Sequence, residues 1–366
     1  MADILTAGDN FRGYVVERLL GKGGLCEVYL VKHEMLDKCF ALKVLSPNVA
    51  SVNPEFVTRF VREAKIAAKI RHPNLVQVYD VGYDSARGLY FIVMDYINGW
   101  SLRMSVGMGG ALKPDEAVRI VAAVAGALAA GEPFGVVHRD IKPENIMLEN
   151  SGAVKLVDLG IAKAKGADSL VTMSHSVLGT PGYISPEQAQ DASSVDFRAD
   201  VYSLGIVFFE LLCGRRPYAS DKPKALMEFL TSDEPVMDVR EINPSVPSKL
   251  SMIVKMMCAK KSSERLASAS VVLDTLKRFG YAKQVDGEDA PSTSQTAGQA
   301  GSGDFDYRAY ETKATVKTLS MDASEPDVQE FIKGLKRKRK LKKFLTVAAF
   351  VALAAALAAL LAGLMR

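Results

Sequence analysis

The segment Val136–Leu148 reads VVHRDIKPENIML, and it places a histidine, an arginine, an aspartate, a lysine and an asparagine between His138 and Asn145. Apolar residues that favour β-structure flank these polar residues on both sides, so we predict a tight loop between two buried segments. Loops held on a rigid scaffold often carry catalytic residues. A solvated polar turn between two strands is the simpler alternative. The density of chemically active side chains favours a catalytic loop.

The pattern His138-Arg139-Asp140-x-Lys142-x-x-Asn145 resembles the catalytic loop of the protein kinases. The resemblance implies that Asp140 accepts the proton of the substrate hydroxyl and that Asn145 binds Mg²⁺. It also implies that Lys142, a residue of the serine/threonine-specific branch, faces the transferred phosphate. The expected activity is therefore transfer of a phosphoryl group from ATP to protein Ser or Thr hydroxyls.

A second segment, Gly21-Lys22-Gly23-Gly24-Leu25-Cys26-Glu27-Val28, resembles the kinase glycine-rich loop, although Cys26 replaces the third glycine. Glycines there allow backbone N–H groups to approach nucleotide phosphates. Taken alone, this segment also fits a plain hairpin turn. We expect the Cys26 thiol to be partly exposed at the loop tip, with a pKa lowered by Lys22, and hypothesise that its oxidation or alkylation hinders ATP binding.

Phe40-Ala41-Leu42-Lys43 stands where kinases have V-A-I-K. A lysine between apolar residues of a strand is costly to bury unless its charge is paired. Glu63, on a predicted helix over residues 56–70, is the expected partner, and Lys43 would then contact the ATP phosphates. An edge lysine with its ammonium group in water is the alternative.

The resemblance assigns further positions to the ATP site, with Met94 as the gatekeeper before the hinge. The predicted ATP-binding set is Leu20, Gly21, Gly23, Val28, Ala41, Lys43, Glu63, Met94 and Met147. Periodicity predicts strands over residues 15–20, 28–32, 39–44 and 89–97 and a helix over residues 114–130, whose alanine-rich face we interpret as core packing.

Asp158-Leu159-Gly160 matches the D-F-G motif with Leu in place of Phe, and the match implies that Asp158 binds Mg²⁺. Gly179 to Glu187 (GTPGYISPE) resembles the segment that holds the protein substrate, which assigns Thr180 and Glu187 to the substrate loop. The resemblance also implies two structural roles. Asp200 braces the catalytic loop, and Arg265 pairs with Glu187.

The segment between Asp158 and Glu187 is expected to regulate the enzyme. Thr172 and Ser174 have the spacing of paired phosphorylation sites in bacterial relatives, and a phosphate there would neutralise Arg139. The implied fold is an α+β, bilobal protein kinase fold with a small β-rich N-lobe and a larger helical C-lobe. The resemblance covers residues 14–281 and is specific to the bacterial receptor-type (Hanks-type) serine/threonine kinases.

Composition excludes several other classes of protein. Four scattered cysteines without a C-x-x-C pair indicate reduced thiols, and four histidines without metal-ligand spacing argue against a zinc site. The net charge is +4, yet the chain from Lys333 onward carries nine basic residues and no acidic one. The preceding part is therefore mildly acidic. A nucleic-acid partner is not expected, because binding would require basic residues on the folded domain.

The C-terminal part predicts membrane attachment. Residues 282–335 are rich in small and polar residues and read as a flexible, disordered linker, followed by a basic flank at 336–343. Residues 344–365 carry no charge and would span about 33 Å as a helix, against a hydrocarbon core of about 30 Å. We predict a single-pass helix in the cell membrane, with the kinase domain and the basic flank in the cytoplasm and no N-terminal signal peptide.

Two other interpretations compete with an active protein kinase. The loss of the third glycine at Cys26 would suit a membrane-anchored pseudokinase that acts as a scaffold. A small-molecule phosphotransferase of kinase-like fold is the other candidate. We also expect self-association in the membrane, because Ala355, Ala359 and Gly363 have the spacing that lets membrane helices approach closely.

Overall fold

The computed structural model describes residues 3–158, 181–190, 195–218, 220 and 222–286. Several predicted features therefore lie outside the described residues. They are Thr172, Ser174, Thr180, the linker from residue 287, the basic flank at 336–343 and the membrane helix at 344–365.

The N-terminal lobe is built on one antiparallel sheet of six strands in the order β1-β2-β3-β4-β6-β5. The strands are β1 Asn10–Phe11, β2 Tyr14–Lys22, β3 Cys26–His33, β4 Cys39–Leu45, β5 Val78–Asp84 and β6 Leu89–Asp95. The register places Val28 opposite Lys43, and Ala41 opposite Met94. The predicted strands are confirmed: β2, β3 and β4 are longer than predicted, and β6 ends two residues before the predicted end at residue 97. The hydrogen-bonded ladder sets where each strand ends.

Side chains alternate between the two faces of this sheet. The outer face carries an apolar cluster that includes Tyr29, Val31, Leu42 and Val44. The inner face is covered by helix α2, Pro54–Ala67, which follows the short helix α1, Pro47–Val52. The side chain of Asn53 accepts a hydrogen bond from the Phe56 N–H at 3.0 Å and so caps α2.

A small second sheet lies beneath the first and carries the catalytic loop. Its strands are β7 Gly99–Ser101, β8 Ile146–Glu149 and β9 Val154–Leu156, in the antiparallel order β7-β8-β9. A Cβ atom added at Gly99 would lie 2.0 Å from the Leu148 carbonyl oxygen, so only glycine permits this approach of β7 to β8. This sheet fixes the position of the catalytic loop, which precedes β8, and of the segment that follows β9.

The C-terminal lobe is helical and packs around two buried helices, α4 and α6. Its helices are α3 Leu102–Gly109, α4 Pro114–Gly131, α5 Pro186–Gln190, α6 Phe197–Cys213, α7 Pro223–Thr231, α8 Val239–Ile242, α9 Ser248–Met257, α10 Ala269–Arg278 and α11 Ala282–Asp286. Asp196 caps the start of α6, and Gly214 ends it in the left-handed conformation, with φ of 69°.

One helical stretch in the described part of the chain, Pro114–Phe134, is long and apolar enough to cross a membrane. More than half of its most apolar window, 56%, is buried inside the protein. Burial against α6 and α10 explains its composition, as expected for the core helix of a globular lobe.

The structure departs from the predictions in two further places. The β-favouring residues Val136 and Val137 before the catalytic loop form irregular backbone, and the Asp200 side chain binds the amides of His138 and Arg139 that follow them. Helix α11 continues the ordered chain through Asp286, within the segment predicted to be a linker from residue 282, and Lys277 pairs with Asp286 at 2.7 Å.

Candidate active site

The catalytic loop is held by the buried carboxylate of Asp200 at the start of α6. Its two oxygens accept hydrogen bonds from the backbone N–H groups of His138 and Arg139, each at 2.7 Å. Burial raises the pKa of Asp200 to about 7, while the two amide bonds oppose that rise. Arg139 has a φ of 64°, an uncommon conformation for a residue other than glycine, and Asp200 supports it directly. The bracing role assigned to Asp200 fits this geometry.

Asp140 lies between two partners from its own loop. The Lys142 ammonium nitrogen is 2.9 Å from Asp140 Oδ2. The Asn145 amide nitrogen donates to the same oxygen at 3.0 Å and to the Asp140 carbonyl oxygen at 2.8 Å. The side chains of Asp140 and Lys142 are less than one-fifth exposed, at 18% and 16%. The structure thus brings together the three loop residues that the sequence analysis selected.

His138 is buried, and burial lowers its pKa to about 4, so its imidazole ring is neutral at physiological pH. Its Nδ1 atom accepts the Asp140 N–H at 3.3 Å. His138 therefore orders the loop backbone and is not placed as a proton-transfer group.

Asp158 follows β9 and meets Lys43 of β4. Their side chains form an ion pair across the space between the two lobes. Burial alone would lower the pKa of Lys43, but the Asp158 carboxylate outweighs it, so the pKa of Lys43 lies above its ordinary value. Burial alone would raise the pKa of Asp158, and Lys43 reverses that shift too.

The predicted pairing of Lys43 with Glu63 is wrong for this conformation. Lys43 is bound to Asp158, and no hydrogen bond or ion pair joins it to Glu63 among the described residues. Burial instead raises the pKa of Glu63 to about 7, partly offset by the nearby charge of Arg139. The sequence placed Glu63 correctly on α2 but could not fix the distance between α2 and β4.

The inner face of the sheet presents the predicted nucleotide-binding residues. Ala41 and Lys43 alternate with outward-facing Phe40 and Leu42, and Val28 pairs with Lys43 across the strands. The predicted positions Leu20, Gly21, Gly23, Val28 and Met94 lie on or beside strands β2, β3 and β6, and Met147 lies on β8 below. Their role in nucleotide binding stays a prediction.

The expected lowering of the Cys26 pKa by Lys22 is also wrong. Cys26 begins β3 and packs partly buried beside α2. Burial raises its pKa to about 11, against the opposing effect of Lys43. Lys22 is engaged instead by Asp3 and Glu27. A thiol with a pKa of about 11 is mostly protonated at neutral pH, which lowers its reactivity, and the effect of its oxidation on ATP binding stays a prediction.

The predicted pair of Arg265 and Glu187 is present. The guanidinium group of Arg265 meets both carboxylate oxygens of Glu187, at 2.5 and 2.8 Å. The Arg265 side chain is fully buried and also donates to the carbonyls of Ala259, Arg198 and Lys260. This pair anchors α5, and with it the end of the predicted substrate loop, to the C-lobe.

The sequence analysis missed a polar cluster beside the catalytic loop. Arg103 of α3 contacts Glu144 and Glu210, both at 2.9 Å, and the Tyr183 hydroxyl contacts Arg103 and Glu210. The Ser203 hydroxyl donates to the Tyr183 carbonyl oxygen at 2.7 Å. Four separate segments meet in this cluster, and nothing in their sequence spacing predicts the contact.

The oxygen groups of the site suit Mg²⁺, which prefers carboxylate and amide oxygens and takes further ligands from phosphates and water. Because Asn145 uses its amide nitrogen to bind Asp140, its amide oxygen remains for a cation. Asp158 supplies a carboxylate that is 46% exposed. Over the described residues there is no cluster of three or more His, Cys, Asp or Glu that would hold a metal by protein ligands alone.

Residues 14–276 match the family model described as "Protein kinase domain". The chain is 38% identical over 257 residues to the serine/threonine-protein kinase PrkC of Bacillus subtilis, and 39% identical over 259 residues to PknB of Mycobacterium leprae. Each match covers 70% of this chain but only 39% and 41% of those longer proteins.

A solved structure is similar along the same part of the chain. The kinase domain of Mycobacterium tuberculosis PknI superposes with a TM-score of 0.60 at 31% sequence identity. It covers 75% of this chain and all of the solved domain. The match therefore covers a whole catalytic domain and leaves the remaining quarter of the chain unmatched.

Proposed function

Since this chain belongs to the protein kinase family, we propose that it is a serine/threonine protein kinase that transfers the γ-phosphoryl group of ATP to hydroxyl groups of protein substrates. The observation that carries the proposal is the position of Asp140, held between Lys142 and Asn145 on a loop braced by Asp200. A carboxylate fixed in this way can orient a hydroxyl group and accept its proton.

The chain's own residues mainly position and stabilise the reacting groups, as phosphoryl transfer requires. Asp140 would accept the hydrogen of the substrate hydroxyl. Lys142, bound to Asp140 Oδ2, would face the transferred phosphoryl group and neutralise its charge. Lys43 would bind the α- and β-phosphates after it leaves Asp158. Magnesium, held by Asp158 and Asn145, would supply positive charge between the phosphates.

Two other functions stay open to the same test. A pseudokinase scaffold would keep the fold and lose turnover, yet every charged catalytic position of the family is occupied here. A small-molecule phosphotransferase would not need the anchored segment that ends in Glu187 and its pair with Arg265. Both observations favour a protein kinase.

The test is radiolabelled ATP transfer to a generic basic protein by the full-length chain, wild type and Asp140→Asn. We expect labelled phosphoserine or phosphothreonine from the wild type and a loss of about 10²–10⁴-fold in the variant, with ATP binding retained. Asp233→Asn, at an exposed position far from the loop, is the control. An inactive wild type that binds ATP would favour the scaffold, and label found only on small molecules would favour the phosphotransferase.

We further propose that residues 344–365 anchor the protein in a membrane as a single helix, with the kinase domain on the cytoplasmic side. The support is the length and apolar character of this uncharged stretch and the seven basic residues that precede it. Anionic lipid headgroups are the expected partners of that basic flank. Two chains would associate through the small residues Ala355, Ala359 and Gly363.

The proposed activation is autophosphorylation at Thr172 and Ser174. A phosphate there would carry about −1.5 to −2 charges and could bind Arg139. One terminal nitrogen of the Arg139 guanidinium group is buried and has no hydrogen-bond partner in the described part of the chain. An arginine in that state is a suitable receptor for an incoming phosphate.

A further inference from the structure

The N-terminal segment packs on the outer face of the small lobe and ends in β1. We call residues 3–11 the N-terminal strap. The side chains of Leu5 and Phe11 are 3% and 0% exposed and belong to the outer apolar cluster. Gly8 donates its N–H to the Val16 carbonyl oxygen at 2.8 Å, which ties the strap to β2. The strap is thus a packed part of the lobe.

The strap is joined to the glycine-rich loop through Glu27. Glu27 is 5% exposed, and its Oε2 atom accepts the Ile4 N–H at 2.8 Å and the Tyr29 hydroxyl. The Tyr29 hydroxyl oxygen in turn accepts the Leu5 N–H at 3.0 Å. The backbone N–H groups of Ile4 and Leu5 in the strap therefore both donate to the buried pair formed by Glu27 and Tyr29.

The other oxygen of Glu27 faces the loop. Glu27 Oε1 lies 2.7 Å from the ammonium nitrogen of Lys22, which is also 2.8 Å from Asp3 of the strap. Lys22 and Glu27 are the last cross-strand pair of the β2–β3 hairpin, and the loop turns between them. The contacts of the strap therefore reach the base of the loop on both of its strands.

The direction of the side chains separates this contact from the nucleotide side. Glu27 and Tyr29 point to the outer face, and Val28 between them points to the inner face, opposite Lys43. The strap therefore contacts the outer face of β3. Val28 of the predicted ATP site lies on the inner face of the same strand. Near the loop, the polar contacts of the strap are with Lys22, Glu27 and Tyr29, none of which belongs to the predicted ATP-binding set.

A buried carboxylate is costly unless donors surround it. Burial alone would raise the pKa of Glu27, yet Lys22, Tyr29 and the Ile4 amide together hold that pKa below its ordinary value. Of the three donors only the Ile4 amide belongs to the strap, so moving the loop base away from the strap would take one donor from this buried carboxylate and would separate Lys22 from Asp3. Glu27 therefore links the hairpin to the strap on its outer face.

We propose that the N-terminal strap, acting through Glu27, sets the position of the glycine-rich loop over ATP, so that Glu27 is a positioning residue for nucleotide binding. This inference rests on the proposed kinase function. The nucleotide contacts themselves come from the inner face and the loop backbone.

The test compares the ATP KM and kcat of the full-length chain with those of Glu27→Gln. A Gln side chain has one acceptor oxygen and cannot satisfy both Lys22 and the strap. We expect the KM for ATP to rise about five- to tenfold, while kcat at saturating ATP changes less than about twofold. Glu17→Gln, an exposed position on neighbouring strand β2, is the matched control and should leave both values unchanged.

A chain lacking residues 2–8 shows whether Glu27 acts through the strap. We expect the deletion to raise the KM for ATP to the same extent, and the double variant to be no worse than either single one. An unchanged KM in Glu27→Gln, or additive effects in the double variant, would overturn the proposal. The affinity for a fluorescent ATP analogue is measured without turnover. It therefore tests the effect of the strap and Glu27 on nucleotide binding separately from the proposed kinase activity.

Discussion

The ammonium group of Lys43 is bound to the carboxylate of Asp158, 115 positions later in the chain. The residue expected to bind phosphates and the residue expected to bind Mg²⁺ therefore neutralise each other. Glu63, the expected partner of Lys43, lies apart from this pair, near Arg139. Nucleotide phosphates and Mg²⁺ would have to replace this ion pair on binding, and Lys43 would then be able to pair with Glu63.

Glu63 should give catalysis a pH dependence near neutrality. Its pKa is about 7 in this conformation, raised from 4.5 by burial, and pairing with Lys43 would lower it. The change to the paired arrangement thus releases a proton, and rising pH through about 7 favours it. We expect kcat/KM to rise over that interval in the wild type and to lose much of this rise in Glu63→Gln.

The measurement is a pH profile of kcat/KM for ATP. Glu55→Gln, an exposed position on the same helix that pairs with Arg59, serves as the control. Identical profiles for wild type and Glu63→Gln would show that the titration of Glu63 plays no part.

Removal of Arg265 should destabilise the C-lobe. The Arg265→Leu variant leaves Glu187 without its bidentate partner and three carbonyl oxygens without their donor. Breaking a buried pair on one side costs about 3–5 kcal/mol, so the urea midpoint should fall clearly. Lys261→Ala breaks an exposed pair with Glu264 and should cost less than about 1 kcal/mol. Equal midpoints for the two variants would contradict the structural role.

The proposed membrane anchor predicts a change of cell fraction. Deletion of residues 335–366 should move the protein from the membrane to the soluble fraction and leave autophosphorylation intact. Seven basic residues at about 1 kcal/mol each add electrostatic attachment, so the fractions must be washed in high salt. A truncated chain that still pellets after that wash would place the anchor elsewhere.

Phosphorylation of the activation segment should control turnover. The double variant Thr172→Ala with Ser174→Ala is expected to lose most of its activity, because Arg139 would lack a phosphate partner. Phosphopeptide mapping checks this expectation, and a fully active enzyme with Thr172 and Ser174 unmodified would refute it.

The Ala359→Leu with Gly363→Leu variant should slow autophosphorylation only in membranes, where close helix packing matters.

The parts of the fold that the sequence predicted are those with a local cause. Strands β2, β3, β4 and β6 follow from alternating or continuous apolar runs, and α4 follows from Pro114 at its start and its apolar periodicity. The spacing of Asp140, Lys142 and Asn145 within one short loop fixes their proximity, because only a few backbone bonds separate them. Helix α1 and strand β1 were missed, since each is too short to show a period.

The partners of charged groups were decided by the tertiary structure. The sequence by itself determined that Lys43 lies on an apolar strand, where burial would require an anion, and that Glu63 lies on a helix. Which carboxylate meets Lys43 depends on the distance between α2 and β4, which no local pattern encodes. The same reason explains the pKa of Cys26 and the bonds of the strap to Glu27. Burial and long-range contacts set the energy of a charge, and both exist only after the chain has folded.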